Sequence, residues 1–323
     1  MMMETSVLTE APCYGARGIA PCDSPIRKLT LQDMIPICLE SMDVSERTKE
    51  IYVRNIGYYA EWLNSEGRAG DRRADFVAYK SFLMGKYAAS TISAYMSSVR
   101  MFYKWACSEG FLRFDITTGV KGPAKPRGFR KDPLSIDQAK ALIDVGKDDP
   151  DALRDRALVS LLLHTGIRTI EASRADVGDV RNMAGHTVLF IQGKGHAEKD
   201  EFVILTPSTI QTLSAYIETR GRLEASAPLF ASESNRNNGG RLTTRSISRI
   251  ARERMDEAGI RSDRITAHSL RHTAVTLALL GGATVQEAQA MARHSSVNTT
   301  MIYAHNIDRL KTPAEGKIDF MLS

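Results

Sequence analysis

Apolar residues recur at helical spacing through most of the chain. In "DVSERTKEIYVRNIGYYAEWLNSEG", Tyr52, Ile56, Tyr59 and Leu63 share one helix face, and an Asp43–Glu46 capping box is expected to start that helix. A shorter helix is expected in "ADFVAYKSFLMGK". A long one is expected in "STISAYMSSVRMFYKWACSEG", with Ile92, Met96, Val99, Phe102 and Ala106 as its buried stripe. The pattern thus predicts an all-helical first domain over residues 27–120, preceded by a flexible leader, 1–26, rich in Pro, Gly and small residues.

"KGPAKPRGFRKDP", residues 121–133, holds three prolines, two glycines and five basic residues against one acid, the composition of a linker. Its basicity makes Lys121, Lys125 and Arg127 candidates for phosphate contacts. The second domain, 134–323, mixes elements. Helices are expected in "SIDQAKALIDVG", "DALRDRALVSLLLHTG" and "PSTIQTLSAYIETRGR". "HTVLFIQGKGHAEKDEFVIL" reads as a β-hairpin around a Gly-Lys-Gly turn. In "TTRSISRIARERMDEAG", Arg245, Arg249 and Arg252 fall on one face and Ile247, Ile250, Ala251 and Met255 on the other. That basic face is either solvated or a nucleic-acid contact. In "AHSLRHTAVTLALLGG", His268 and Arg271 share a face, while Leu270, Ala274 and Leu277 share another. The polar pair is therefore free to face an anion.

Composition adds little but excludes much. A net charge of +5 and a pI near 9.0 point weakly to a polyanion partner. No apolar run approaches the ~20 residues of a membrane helix, and the N-terminus lacks the pattern of a secretion signal. Cys13, Cys22, Cys38 and Cys107 are scattered without a CxxC. The expectation is a cytoplasmic, nucleoid-associated protein with no cysteine zinc site and no membrane partner. There is no Walker loop, no GxGxxG after a strand and no GxSxG elbow. His268 and His272 have the spacing of a zinc pair, but Ser269 stands where a metalloprotease needs its glutamate, so no metal or other cofactor is expected.

What remains is an ordered set: Arg168 in "HTGIRTIEAS", Lys194 in the hairpin turn, His268 and Arg271, then His294 and Tyr303 in "ARHSSVNTTMIYAH". Taken singly, each has a structural explanation. Arg168 pairs with a carboxylate such as Glu171, Lys194 sits exposed in a turn, His294 caps the helix opened by a Thr284–Glu287 capping box, and Tyr303 is a half-buried aromatic. Taken together, they resemble the catalytic motif of the tyrosine recombinases, the phage-integrase and Xer-like family. The resemblance runs from about Leu134 to His305. The helical region from about Leu29 to Val120 resembles that family's core-binding domain, best in "SAYMSSVRMFYKWACSEGFLRFD".

The resemblance implies a mainly α fold with a small β-sheet: a helical, SAM-like core-binding domain and an α+β catalytic domain of the simple two-domain type. It implies site-specific cutting and rejoining of duplex DNA through a 3′-phosphotyrosyl intermediate. Tyr303 would be the nucleophile and His268 the proton acceptor. Arg168 and Arg271 would bind the non-bridging oxygens, to which His294 would also bond. Lys194 would protonate the leaving 5′ oxygen, with Lys199 as fallback. The chemistry suits these residue types, because a phosphorane-like transition state gathers negative charge that forked, permanently charged guanidiniums can meet.

The implied partners are double-stranded DNA with inverted-repeat half-sites, a tetramer of protomers on two duplexes, and accessory DNA-bending or directionality proteins. Exchange of the apolar tail, Ile318 to Leu322, would link the protomers. Integration and excision of a mobile element is the first role, and Xer-like resolution of replicon dimers the second. A type IB topoisomerase and a non-catalytic DNA-binding regulator are the readings outside the recombinases. Two positions depart from the family's usual residues. Ala292-Arg293 stands in place of Leu-Gly, shifting how His294 is presented and adding a charge close to DNA. Asp115-Ile116 stands in place of Asn-Pro. His272 reads as structural support for the active-site helix.

Overall fold

The computed structural model describes residues 30–124, 132–144, 150–193, 196–311, 318, 321 and 322. The leader, Lys125, Arg127 and Lys194 lie outside the described residues. The chain divides into two compact units, Met1–Arg127 and Gly128–Ser323.

In the first unit four helices enclose an aromatic core: α1 (Leu31–Glu40), α2 (Glu46–Ser65), α3 (Arg73–Met84) and α4 (Ala89–Ser108). Helix α2 starts two residues later than the expected box. Ser45, in extended backbone, accepts the Thr48 N–H, so Asp43–Glu46 is not the cap. The predicted stripe of α4 is buried in full, and Ile56, Tyr59 and Leu63 of α2 are buried, with Tyr52 at the margin.

The second unit opens with α5 (Ile136–Asp144) and α6 (Pro150–Thr165), followed by α7 (Thr169–Arg174). A three-stranded antiparallel sheet comes next: β1 (Val180–Met183), β2 (His186–Ile191) and β3 (Glu201–Ile204), in that order. The β2–β3 pair is the expected hairpin. Strand β1 was not expected from the pattern; it is short, half exposed, and joined to β2 through Ala184-Gly185, both at positive φ. That is the geometry of a two-residue primed turn, here without the Asn-Gly signal that usually announces one. Helices α8 (Pro207–Thr219), α9 (Thr244–Glu257), α10 (Ala267–Leu280), α11 (Val285–Ala292) and α12 (Val297–Lys311) complete the unit.

Helix α6, apolar nearly all round, packs against α5, α8, α9 and α10. Helix α10 continues the core with Leu270 and Ala274 and carries α11 and α12 on its far side. Helix α9 buries Ile247, Ile250, Ala251 and Met255 and leaves Arg245 and Arg249 exposed, as its two-faced pattern requires. The capping box at Thr284–Glu287 is present at the start of α11. Among the described residues no helix is long and apolar enough to cross a membrane.

Candidate active site

Two turns deliver the arginines. Helix α6 ends at Gly166, whose φ of 62° lies in the left-handed region that glycine enters freely, and a Cβ there would meet Ala274 Cβ at 3.3 Å. The chain then reverses and places Arg168 at the N-cap of α7. Its backbone N–H donates to Glu171 Oε2 at 2.8 Å and its Nη1 to Oε1 at 2.6 Å. Pairing with Glu171 and facing a pocket therefore coexist in Arg168. Arg271, one turn into α10, is buried. Its Nη1 donates to the Gly166 carbonyl at 2.6 Å and its Nη2 to the Ala292 carbonyl. Burial, then the charge of Arg168, draw the Arg271 pKa down to about 10, which leaves the guanidinium charged at neutral pH.

Arg168, His268 and Arg271 line one pocket of about 560 Å³ with Ser248, Arg252 and Thr266. Three of the predicted catalytic residues thus meet, although 103 positions separate the outer two in sequence, 168 and 271. Partial burial, then Arg271 and Arg168, hold His268 below the usual histidine range. Arg252 joins them from α9 and donates to the carbonyls of Ser262 at 2.9 Å and Ile265 at 3.3 Å, bracing the loop that leads into α10. Arg249 instead pairs with Glu253 at 2.8 Å on the exposed face. Lys121 is exposed near the end of the first unit, after α4.

Tyr303 sits in α12, 4% exposed, packed with Val275 and Ala292. Burial pushes its phenol up to about 12, with Arg271 pulling the other way. Its hydroxyl meets Nδ1 of His272. This is a contact the sequence reading missed, having assigned His272 to helix support. Burial, then His268, Arg271 and His294, lower the His272 pKa to about 4, so its imidazole is neutral at pH 7. The His268 and His272 rings meet edge to face, with centroids 4.7 Å apart. His294 follows the C-terminus of α11, its Nδ1 2.9 Å from Thr300 Oγ1 and its ring parallel to Tyr303 at 6.4 Å. Burial, then Arg271 and Arg168, lower its pKa to about 4 as well.

Two more residues enter the site from outside the six-residue motif. Glu171 has no exposed surface and accepts from both Arg168 and Arg293. Burial alone would raise its pKa, but Arg293, the Arg168 N–H and the Arg168 guanidinium outweigh it and hold the carboxyl below its ordinary value. Arg293 is itself 8% exposed in its side chain, so the charge it adds sits in an interior ion pair with Glu171. Lys199, the fallback acid, is bound to Asp176 at 2.6 Å and to Asp179. Among the described residues no group of three His, Cys, Asp or Glu gathers to hold a metal ion.

Residues 133–309 match the model of the phage integrase family. The chain is 32% identical over 298 residues to tyrosine recombinase XerD of Mycobacterium leprae, covering 84% of this chain and 91% of that one. It is 34% identical over 278 residues to tyrosine recombinase XerD of Corynebacterium glutamicum, covering 81% and 88%. Tyrosine recombinase XerC of Vibrio vulnificus is 30% identical over 295 residues, covering 88% and 89%. Among solved structures, XerH site-specific recombinase bound to palindromic difH substrate superposes with a TM-score of 0.71 at 17% identity, covering 88% of this chain and 85% of that one. A lambda integrase tetramer bound to a Holliday junction superposes at 0.67 and 17%, covering 84% and 76%. With an arginine-lined pocket beside a tyrosine-bearing helix, and with relatives matched along most of its length, the chain belongs to the phage integrase family of tyrosine recombinases, enzymes that break and rejoin DNA in site-specific recombination.

Proposed function

We propose that Tyr303 is the nucleophile and that Arg168, His268, Arg271, His294 and Lys194 serve it in a recombinase acting through a 3′-phosphotyrosyl intermediate. One observation carries the reading: Arg168, His268 and Arg271 converge on a single pocket, and α10, which bears two of them, also bears the partner of the Tyr303 hydroxyl. A phosphodiester in that pocket meets two guanidiniums on its non-bridging oxygens, Arg271 buried and Arg168 held by Glu171. The phenolic oxygen attacks phosphorus and its proton passes to an imidazole, His268 in the family pattern. The 5′ oxygen departs with a proton from Lys194. His294 bonds a non-bridging oxygen. The new phosphotyrosyl bond keeps the energy of the broken one, so a 5′ hydroxyl can reverse the step and rejoin the strands.

The DNA is a duplex with inverted-repeat half-sites. Arg245, Arg249 and Arg252 on α9 serve the groove and its phosphates, and Lys121, Lys125 and Arg127 the flanking backbone. Four protomers on two duplexes, joined through the tail, form the active assembly, with DNA-bending or directionality proteins as accessories. Integration and excision of a mobile element is the role proposed. Resolution of replicon dimers is the second reading, favoured by relatives that carry the XerC and XerD names at 30–34% identity. Strand exchange on the repeats flanking the gene, compared with a site at the replicon terminus, separates the two.

The test of the site is Tyr303→Phe, which removes only the hydroxyl. On nicked suicide substrates, denaturing gels should show complete loss of covalent attachment while half-site binding persists. A covalently linked Phe variant would refute the assignment.

A further inference from the structure

We propose that Arg293 is a positioning residue of the cleavage reaction: it shares the Glu171 carboxylate with Arg168, so that Arg168 keeps its charge for the scissile phosphate. The proposal rests on the site reading above, in which Arg168 binds that phosphate. It starts from an oddity of the backbone. Arg293 caps α11 at φ 52° and ψ 49°, the left-handed region where a helix ordinarily closes on glycine. A bulky side chain at that turn needs a compensating interaction, and Arg293 has several. Its Nη2 donates to Glu171 Oε2 at 2.7 Å and its Nη1 to the Met291 carbonyl at 2.8 Å, while its Nε faces Glu201 Oε2 at 3.5 Å.

The consequence is electrostatic. Glu171 has no exposed surface, so water does little to screen it. With Arg168 as its only counter-ion, carboxylate and guanidinium would cancel, and the pocket would lose one of its two principal cations. With Arg293 on the second oxygen, the trio retains one net positive charge, directed through Arg168 into the pocket. Glu201 offsets little of this, being further away and one third exposed. The same turn also supplies the Ala292 carbonyl to Arg271 and leads directly into His294. The end of α11 is thereby tied to Arg271 directly and to Arg168 through Glu171.

Single-turnover cleavage of a nicked suicide substrate decides the matter, with half-site affinity measured beside it. Arg293→Gln keeps amide donors for Glu171 and Met291 but removes the charge. It should cut on the order of 10- to 100-fold more slowly, the scale of a misplaced reacting group, with affinity within about twofold. Arg293→Lys should recover part of that loss. In a Glu171→Gln background, where no carboxylate remains to cancel Arg168, adding Arg293→Gln should cost far less. Arg293→Gly, which relaxes the turn, should be as slow as Arg293→Gln.

A wild-type rate in Arg293→Gln, or an equal loss with and without Glu171→Gln, overturns the proposal. So does a normal rate in Arg293→Gly, because the residue would then matter only to the backbone. If neither neutral variant folds, Arg293 is structural and the proposal also falls. Covalent attachment by the wild type, absent in Tyr303→Phe, is the control: its failure would count against the site reading itself.

Discussion

In the first unit the hydroxyls of Tyr59 and Tyr103 meet at 3.2 Å, and Tyr103 donates onward to the Gly70 carbonyl at 2.6 Å. In the second, Glu171 lies fully buried between two guanidiniums, and Arg271 is buried against two carbonyls. Both interiors contain polar groups, but among the described residues the first buries a single carboxylate, Asp75, paired with the half-buried Arg68, and is otherwise uncharged. Burial drives the phenols of Tyr59, Tyr79 and Tyr103 well above the usual tyrosine value, so none ionises near pH 7. The second retains charge inside, where an unpaired ion is expensive and a paired one is held rigidly. Aromatic packing dominates the first interior. Fixed ion pairs around Glu171 mark the second.

The largest effect should come from Arg271→Ala. It removes the transition-state donor of the proposed reaction and leaves the Gly166 and Ala292 carbonyls without that partner. Cleavage should fall by roughly 10²–10³-fold or more, and the second unit should lose about 1–3 kcal/mol for each carbonyl left bare. Single-turnover kinetics and denaturant titration measure the two separately. Near-normal cleavage would mean that the buried guanidinium is structural only.

Acid and alkali should then separate the units. His272 and His294 have pKa values lowered to about 4 in the folded chain, against about 6.5 unfolded. The unfolded state therefore binds more protons between those values, so the stability they confer is present above pH 6.5 and lost as pH falls toward 4. The tyrosines of the first unit are shifted the other way, so their contribution is intact below about pH 10 and lost above it. Hydrogen exchange followed across pH should show the second unit loosening first in acid and the first unit first in alkali. The reverse order would break the comparison.

Smaller still is Tyr103→Phe, which strips the donor from Gly70 and the partner from Tyr59. It should cost the first unit about 1–3 kcal/mol in denaturant and leave the rate of covalent attachment unchanged. Smallest is Arg249→Ala on the exposed face of α9, whose ion pair with Glu253 is solvated. Stability should move by less than about 1 kcal/mol, whereas the salt slope of DNA binding should drop by about one. An unchanged slope and site preference would return that arginine to plain solvent.

Helix α4 could be read from the chain because its stripe of Ile92 to Ala106 needs no partner to be recognised, and α9 for the same reason. The ordered polar motif was equally legible, since its spacing is a property of the chain itself. Pairings across the fold were not. Two histidines one helical turn apart look alike in one dimension, and only the packing of α12 on α10 decides that Tyr303 meets His272. Glu171 stands three residues from Arg168, which suggests one ion pair, but its second partner arrives from 122 residues away. The start of α2 was misjudged because Asp43 and Ser45 both offer a cap, and backbone geometry chooses between them.

In the proposed reaction Tyr303 is at once a reagent and a brick: its ring fills a small cluster with Val275 and Ala292, and its oxygen is the one that attacks phosphorus. Tyrosine and phenylalanine codons differ by a single base. A copy with Phe at this position would keep the ring packed, fold, and occupy its half-site, yet cut nothing. In a cell carrying both alleles, such a copy would compete for the same sites and act as a poison. The inactive allele should therefore be dominant over the active one, and it lies one point mutation away.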